Sequence, residues 1–320
     1  MPKISIITTT YRHEKFIAQT IDSILTQTFS NWELLIGDDS PDNATWDIIQ
    51  EYTQKDSRIK AWHHTPNKGI IDNMNFLLSQ VSSESEYVAF LEGDDIYLPE
   101  NLEKKLKIFE QYPGLALVYN NLDFIDAEGK IFHRNFLAKA PFYLKNQKLT
   151  KEQFIKHETF YGSYSTLMIR KDVLETEKIV NITDDKLYSV SDWDLFFRIS
   201  TKYPIYGIDD SMTLYRRHIG NVSSQYIKLF NDLEIQINEY LKIGFIDQRL
   251  FDLKLSFIDL LKSVAHLEKI EKKESLLFLF KSFKLSPLSN PIYKIGILVM
   301  NLLPAFLIKK MLKIIIKRGE

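Results

Sequence analysis

Three carboxylates stand within four residues at the end of an apolar run. The run is Tyr87–Leu91, and Glu92, Asp94 and Asp95 follow it around Gly93. An apolar run of this length is typical of a buried parallel strand, and open α/β sheets bind ligands at the carboxyl ends of such strands. Closely packed carboxylates repel one another, and Mg²⁺ or Mn²⁺ bound to a phosphate-bearing substrate would offset that repulsion. A solvated acidic turn is the alternative, and this stretch alone leaves both open.

The elements that would position these carboxylates alternate between strand and helix. The sequence predicts strands at 4–10, 32–37, 58–63 and 87–91, with helices at 14–28, through 46–52, through 74–78, and from Pro99 onward. Alternation with short connections indicates βαβ units and a parallel sheet. The acidic stretch would then lie at one edge of that sheet together with the ends of the earlier strands.

In the second half of the chain, the predicted strands and helices alternate less regularly. Strands are expected at 115–125, 131–133 and 164–170, with one or two more at 205–217, a loop at 134–150 and a helix at 192–202. From 224 onward the apolar residues follow helical spacing with few turn residues. The predicted domains are a catalytic α/β domain at 1–223, a helical extension at 224–284 and a basic amphipathic tail at 285–320.

Charge is distributed unevenly along the chain. The 320 residues carry a net charge of −1, yet residues 281–320 contain eight lysines or arginines and one acid. The longest uncharged run of the tail, 295–308, has fourteen residues and is too short to span a bilayer. A helix lying in the surface of an anionic membrane fits this pattern. A helix packed on the body or a dimer contact is the alternative.

Several classes of protein do not fit the composition. There is no cysteine, so disulfides and thiolate metal sites are excluded. The first residues have no long apolar segment of the kind found in signal peptides. The body is acidic and the basic tail is interleaved with aliphatic residues, so we expect no nucleic-acid partner. These features favour a cytoplasmic protein that is peripheral at the inner face of the cell membrane.

Seven short motifs occur in order. They are ISIITTTY at 4–11, AQTIDSILTQTF at 18–29, WELLIGDDSPD at 32–42, NKG at 67–69, LEGDD at 91–95, SDWDLFFR at 191–198 and YRRHIGNVS at 215–223. Their order and spacing resemble the family-2 glycosyltransferases with the GT-A fold, over roughly residues 3–223. The resemblance implies a Rossmann-like mixed sheet flanked by helices, with a C-terminal helical appendage. It also implies an inverting enzyme that moves a sugar from a nucleotide-diphospho-sugar, with a UDP-sugar as the first candidate, to a hydroxyl of a glycan or lipid-linked acceptor in surface polysaccharide synthesis.

The resemblance assigns candidate roles to residues of these motifs. Metal ligands would be Asp94 first, then Asp95 and His218, for Mn²⁺ or Mg²⁺. The alternative for His218 is a purely structural role. The alternative for Asp39, one of the donor-binding candidates below, is that it only caps a turn or helix. Donor-binding residues would be Thr8, Tyr11, Glu14, Asp38, Asp39, Asn67, Lys68, Gly69, Glu92, Gly93, Arg216 and Arg217.

Asp192 is the predicted general base, which would take the proton of the acceptor hydroxyl. The family has a glutamate before this aspartate, and Ser191 stands there instead. Loss of that like charge would lower the pKa of Asp192 without removing the base. The alternative for Asp192 is a helix N-cap. Glu92 and Gly93 also depart from the family's Asp-Ala pair, which leaves the role of Glu92 open.

Two other functions compete with glycosyl transfer. A nucleotidyltransferase would usually have a glycine-rich loop near the first strand, and residues 4–15 contain no glycine. A catalytically silent scaffold that binds sugar nucleotides would explain Ser191 and the Glu92-Gly93 pair. Retention of Asp94, Asp95 and Asp192 favours the enzyme over the scaffold.

Overall fold

The computed structural model describes residues 3–136, 145–156, 163–179, 188–218, 221, 226–269, 271–286 and 289–302. Residues 137–144 of the predicted loop and the part of the predicted tail beyond residue 302 lie outside the described residues. Contacts divide the chain into two units. The first comprises Met1–Thr150, His157–Asn181 and Ser191–Ile219, and the remainder forms the second.

The described residues of the first unit contain one mixed sheet of ten strands. The strands are β1 (Ile4–Thr10), β2 (Trp32–Asp38), β3 (Ile59–His63), β4 (Tyr87–Phe90), β5 (Ile96–Tyr97), β6 (Leu117–Ile125), β7 (Ile131–His133), β8 (Lys145–Gln147), β9 (Leu167–Arg170) and β10 (Ile205–Arg216). Their order is β3-β2-β1-β4-β9-β6-β10-β5, with β7 paired to β6 and β8 to β10. The strands β3, β2, β1 and β4 are parallel, whereas β9 is antiparallel to both β4 and β6.

Eleven α-helices lie among the described residues. They are α1 (Ile17–Leu25), α2 (Ala44–Lys55), α3 (Ile70–Ser79), α4 (Asn101–Gln111), α5 (Lys151–Lys156), α6 (Lys171–Glu177), α7 (Ser191–Lys202), α8 (Tyr226–Lys242), α9 (Gln248–Glu268), α10 (Lys272–Leu285) and α11 (Pro291–Asn301). The α/β architecture predicted from the sequence is confirmed.

The core of the first unit explains why the strand ends meet. All seven residues of β1 and of β2 are buried, and α1 packs on them through Ile17, Ile21 and Ile24. Each such isoleucine contributes roughly 1.5–3 kcal/mol by burial. Because Thr10 pairs with Asp38 in parallel register, the carboxyl ends of neighbouring strands form one edge.

Two segments differ from the sequence prediction. The predicted strand at 164–170 is a 3-10 helix over Tyr164–Thr166 followed by β9. The predicted loop at 134–150 includes the short strand β8. Both β8 and β9 pair antiparallel with their neighbours, so their formation depends on partners distant in sequence rather than on a local apolar pattern.

The second unit is helical in its described part and includes α5, a 3-10 helix at Tyr188–Val190, and α8 to α11. Within it α11 packs on α10 through the fully buried Lys294. Its ammonium donates to the main-chain oxygens of Ser282 and Ser286, at 3.0 and 2.6 Å, and so neutralises the negative end of α10. Among the described residues, no helix combines the length and apolar character needed to cross a bilayer.

Candidate active site

The acidic turn extends the pairing of β4 with β1. The amide of Leu91 donates to the carbonyl of Ile7, and the amide of Gly93 donates to the carbonyl of Thr9, both at 3.0 Å. These two hydrogen bonds therefore fix the start of the turn relative to the end of β1. Its three carboxylates lie at the carboxyl edge, where parallel strands present ligand-binding groups.

Asp95 is buried, and both of its carboxylate oxygens accept hydrogen bonds from the protein. Oδ2 accepts from the hydroxyl of Ser165 at 2.6 Å, and Oδ1 accepts from the backbone N–H of Arg216 at 2.8 Å. Burial and the charge of Asp94 raise the pKa of Asp95 well above its usual value, against the opposing effect of these hydrogen bonds. These contacts fix the turn, and the role of Asp95 as a metal ligand stays a prediction.

Two histidines face Asp94 from distant parts of the chain. His218, two residues after β10, places Nε2 2.9 Å from Oδ2 of Asp94. His13, in the turn between β1 and α1, places Nε2 4.0 Å from the same oxygen. The ligand atoms of the three side chains all lie within 4.8 Å of one another.

The pKa values of Asp94 and His13 are shifted in the direction that suits metal binding. Burial would raise the pKa of Asp94, but the hydrogen bond to His218 and the charges of the two histidines more than offset it, so the pKa lies below its usual value. Burial lowers the pKa of His13. An ionised carboxylate and a neutral imidazole are the forms that bind metals. Two imidazoles and one carboxylate form a donor set that fits a divalent cation.

Arg216 lies beneath the acidic turn. It is fully buried, and its guanidinium donates to the carbonyl of Asp94 at 2.8 Å, to Gln19 at 2.7 Å and to two further main-chain carbonyls. These contacts hold the acidic turn in place, and the role of Arg216 in donor binding stays a prediction. Arg217 is exposed, with its guanidinium 4.9 Å from the ring centre of Phe124.

Asp38 joins the ends of three strands. It is fully buried; Oδ1 accepts from the hydroxyl of Ser40 at 2.6 Å, and Oδ2 lies 2.9 Å from Nδ1 of His63. The hydroxyl of Ser40 in turn accepts from the backbone N–H of Arg12 at 2.8 Å. Asp38 therefore fixes the edge at which the first three strands end.

Asp39 meets the turn at 67–69, so two separate motifs come together. Oδ1 of Asp39 accepts from the backbone N–H of Lys68 at 3.1 Å, and the amide of Asn67 donates to the carbonyl of Asp39 at 3.1 Å. The Asn67 side chain also accepts from the N–H of Gly69 at 2.6 Å. Gly69 has φ of +82°, a conformation that favours glycine.

The remaining predicted donor residues lie around this edge at different depths. Thr8 is fully buried, and its hydroxyl has no hydrogen-bond partner among the described residues. Tyr11 and Glu14 are exposed in the segment that leads from β1 to α1. The roles of Thr8, Tyr11 and Glu14 in donor binding stay predictions.

Asp192 is the second residue of α7 and partly buried. Its Oδ1 accepts from the backbone N–H of Trp193 at 2.7 Å, and burial raises its pKa to about 6. Because α7 already begins at Ser191, Asp192 is not an N-cap. Burial raises the pKa of Glu92 most strongly, and the charges of Asp95, Asp94 and Asp192 raise it further. Asp192 is therefore close enough to the acidic turn to act on it electrostatically.

Sequence reasoning missed two residues of this site. His13 follows β1 by three positions, and its place beside a strand end was the only indication available. The sequence predicts a strand at Ser165, whereas the 3-10 helix places its hydroxyl between Asp95 and the backbone N–H of Glu92, at 2.6 and 3.0 Å. Both act through contacts that no local pattern reveals.

Solved structures share this architecture. The chain matches residues 1–349 of S. aureus TarS in complex with UDP-GlcNAc at a TM-score of 0.63 and 16% identity, covering 88% of this chain and 81% of that one. It matches the mannosyltransferase PcManGT from Pyrobaculum calidifontis in complex with GDP-Man and Mn²⁺ at a TM-score of 0.56 and 15% identity, covering 94% and 87%. The fold is the GT-A fold of glycosyltransferases.

Sequence comparisons define the family. The profile Glycosyl transferase family 2 matches residues 5–177. A glycosyltransferase from Methanocaldococcus jannaschii is 31% identical over 67% of this chain and 71% of its own length. A GalNAc(5)-diNAcBac-PP-undecaprenol beta-1,3-glucosyltransferase from Campylobacter jejuni is 26% identical over 98% of each chain. The chain belongs to glycosyltransferase family 2 and is a transferase.

Proposed function

We propose that this chain transfers a sugar from a nucleotide-diphospho-sugar, first of all a UDP-sugar, to a hydroxyl of a lipid-linked or glycan acceptor in bacterial surface polysaccharide synthesis. One observation carries the proposal: Asp192, with a pKa of about 6, lies within electrostatic range of the acidic turn. A candidate base on α7 therefore lies near a candidate diphosphate site at the acidic turn.

The donor would bind where the first strands end. Both oxygens of Asp38 are already used by Ser40 and His63, whereas Oδ2 of Asp39 has no hydrogen-bond partner among the described residues. A carboxylate oxygen of this kind can accept from the N3–H of uracil or from ribose hydroxyls. Asp39 is therefore the favoured donor contact of the pair.

The transfer is a single displacement. Asp192 takes the proton from the acceptor hydroxyl as its oxygen bonds to the anomeric carbon, and the nucleoside diphosphate leaves with the electron pair of the broken bond. A base with a pKa near neutral pH is well matched to this step. Attack opposite the leaving group inverts the anomeric configuration. A divalent cation held by Asp94, His218 and His13 would supply charge neutralisation of the diphosphate when bound.

The acceptor assignment rests on relatives. Besides the C. jejuni enzyme, an E. coli relative named UDP-Glc:alpha-D-GlcNAc-diphosphoundecaprenol beta-1,3-glucosyltransferase WfgD is 31% identical over 48% of this chain and 55% of its own length. Both names describe acceptors on a lipid diphosphate. Such acceptors lie at the membrane surface, which suits a peripheral protein at the inner face of the cell membrane.

The surface of α10 and α11 supports a membrane contact. Leu277 and Phe280 on α10 and Ile295, Val299 and Leu302 at α11 are exposed. Lysines stand in or beside the same helices, as Lys281 and Lys284 do. Exposed apolar side chains flanked by cations favour adsorption to an anionic lipid surface.

Replacement of Asp192 tests the proposed transfer. The variant Asp192→Asn should keep calorimetric binding of one member of a panel of UDP-, GDP- and dTDP-sugars and should lose transfer to a lipid-linked acceptor. The matched control Asp47→Asn changes an exposed aspartate on α2 and should behave as wild type. Wild-type turnover in Asp192→Asn would refute the assignment of Asp192 as the base. If none of the nucleotide sugars in the panel bound, the donor assignment would be overturned.

A further inference from the structure

His13 is set apart from the other histidines of the site by its unused ring nitrogens. Its Nδ1 has no hydrogen-bond partner among the described residues, and its Nε2 is 4.0 Å from Asp94, beyond hydrogen-bond distance. His63 and His218 each make a 2.9 Å contact with a carboxylate. Inward-facing polar groups normally have a hydrogen-bond partner, so the position of His13 is not explained by a hydrogen bond within the protein.

The backbone fixes His13 in this position. Arg12, just before it, has φ of +56°, a left-handed conformation that non-glycine residues seldom adopt without a functional reason. The N–H of Arg12 is held by Ser40 at 2.8 Å. The carbonyl of His13 accepts from the N–H groups of Phe16 and Ile17 at 2.9 and 2.8 Å. The turn is therefore bonded on both sides of the imidazole.

Gly93 provides the space that the imidazole occupies. A Cβ atom on Gly93 would lie 2.9 Å from Nδ1 of His13 and 2.7 Å from Cβ of Thr10, closer than atoms normally approach. The alanine that the resembling motif has at this position would therefore collide with His13 as it stands. The glycine in this chain and the inward histidine form a matched pair.

We propose that His13 is a direct ligand of a divalent transition metal, together with Asp94 and His218, and that the three bind the metal before any nucleotide is present. That this metal serves the diphosphate of a sugar donor rests on the proposed function. That His13 is a ligand, and that the metal binds before the nucleotide, do not rest on it. Two imidazoles and one carboxylate select transition metals. Mg²⁺ prefers oxygen ligands alone, so Mn²⁺ and Co²⁺ should bind in preference to Mg²⁺.

Titration of the nucleotide-free full chain with Mn²⁺, Co²⁺ or Mg²⁺ tests the proposal. By calorimetry Mn²⁺ and Co²⁺ should bind at least about tenfold more tightly than Mg²⁺, and bound Co²⁺ should show visible absorption. The variants His13→Ala and His13→Phe, the second of which keeps an aromatic ring, should weaken Mn²⁺ binding by about 10- to 100-fold. His133→Ala, on β7 of the same unit, should bind Mn²⁺ as wild type does.

Gly93→Ala provides the second arm. It should weaken Mn²⁺ binding in the wild-type background and have a smaller effect in the His13→Ala background, since the clash with Thr10 is common to both and cancels. Unchanged Mn²⁺ binding in both His13 variants, or equal affinity for Mg²⁺ and Mn²⁺, would overturn the proposal. The probe is the metal alone, so loss of sugar transfer with metal binding intact would count only against the proposed function.

Discussion

The hydroxyl of Ser165 donates a 2.6 Å hydrogen bond to Oδ2 of Asp95, although the two residues are 70 positions apart. The same hydroxyl accepts from the backbone N–H of Glu92 at 3.0 Å. Ser165 thus bonds to both ends of the acidic turn. Its own place is fixed by the N-cap Ser163, whose side chain accepts from the N–H of Ser165.

Replacement of Ser165 should therefore loosen the acidic turn. Ser165→Ala leaves a buried carboxylate oxygen without its donor and should lower the free energy of unfolding by about 1–3 kcal/mol. Transfer activity should fall with it, since Asp94 is carried by the same turn. Chemical denaturation and a transfer assay measure the two effects. The control Ser83→Ala removes an exposed hydroxyl, and equal stability of the two variants would refute the proposed role.

The sequence predicted the residues that follow buried strands. The apolar run before Glu92 and the predicted strand at 32–37 before Asp38 both mark the carboxyl edge, because a strand buried on both faces has a local signature. Chemistry at that edge could be predicted for the same reason. Asp38 and Asp94 were therefore identifiable before any coordinates. Asp192 lies at the start of α7, and only the family resemblance of its motif pointed to it.

The contacts that hold those residues were not identifiable. Ser165 meets Asp95, and Arg216 meets the carbonyl of Asp94, through pairings between β9, β6 and β10 that link distant parts of the chain. Nothing in the spacing of apolar residues distinguishes a buried arginine beneath a turn from one that faces a ligand. The same limit applies to His13, whose orientation depends on the left-handed backbone of Arg12.

The pH dependence of transfer should follow the ionisation of Asp192. Its pKa of about 6 means that the carboxylate is mostly protonated below that pH and cannot accept a proton. The transfer rate under subsaturating acceptor should therefore rise through pH 6 and level off above pH 7. A rate profile measured from pH 5 to 8 checks this. A profile that is flat across pH 6 would contradict the assignment.

The same ionisation should affect stability in the opposite sense. Because the folded pKa of Asp192 is raised from 3.8, the stability it contributes is full below about pH 4 and is lost as the pH rises through 6. Asp192→Asn avoids that loss and should be more stable than wild type at pH 7.5, by about 1–3 kcal/mol. Thermal denaturation at pH 7.5 and pH 4 checks this, since the difference should vanish at the lower pH.

The turn at 67–69 should control donor affinity. Asn67→Ala removes the hydrogen bonds that connect this turn to the carbonyl of Asp39 and to the N–H of Gly69. The hydrogen bonds that order this turn contribute about 1–2 kcal/mol of free energy. Their loss should raise the Kd of the nucleotide sugar by roughly 5- to 30-fold with little change in melting temperature. Isothermal calorimetry measures the Kd. The control Gln50→Ala, exposed on α2, should bind as wild type; an equal Kd for Asn67→Ala would contradict the prediction.

A buried ion pair stabilises the helix that carries Asp192. Arg198 donates to Asp194 at 2.7 and 3.0 Å and also to Glu177 at 3.4 Å. Arg198→Met would leave buried carboxylates with fewer partners and should cost about 3–5 kcal/mol of unfolding free energy. The control Lys55→Met breaks a pair whose side chains are 71% and 72% exposed and should cost less than about 1 kcal/mol. Similar losses in both variants, measured by urea denaturation, would contradict the role of burial.

The exposed apolar faces of α10 and α11 should determine membrane binding. Phe280 and Val299 are 59% and 49% exposed, so Phe280→Asp with Val299→Asp should leave the fold intact while adding negative charge to the proposed lipid contact. The double variant should float less than wild type with vesicles rich in phosphatidylglycerol, because both apolar and electrostatic attraction are reduced. Both proteins should float less with vesicles of pure phosphatidylcholine than wild type does with vesicles rich in phosphatidylglycerol.

The matched control for this prediction is Ile243→Asp. Ile243 follows α8 in the same unit and is 63% exposed, so the substitution adds the same charge outside α10 and α11. It should float as wild type does. Equal flotation of the double variant and wild type would show that these two faces do not meet the membrane. A reduction as large in Ile243→Asp would show that net charge alone, rather than the apolar faces, governs binding.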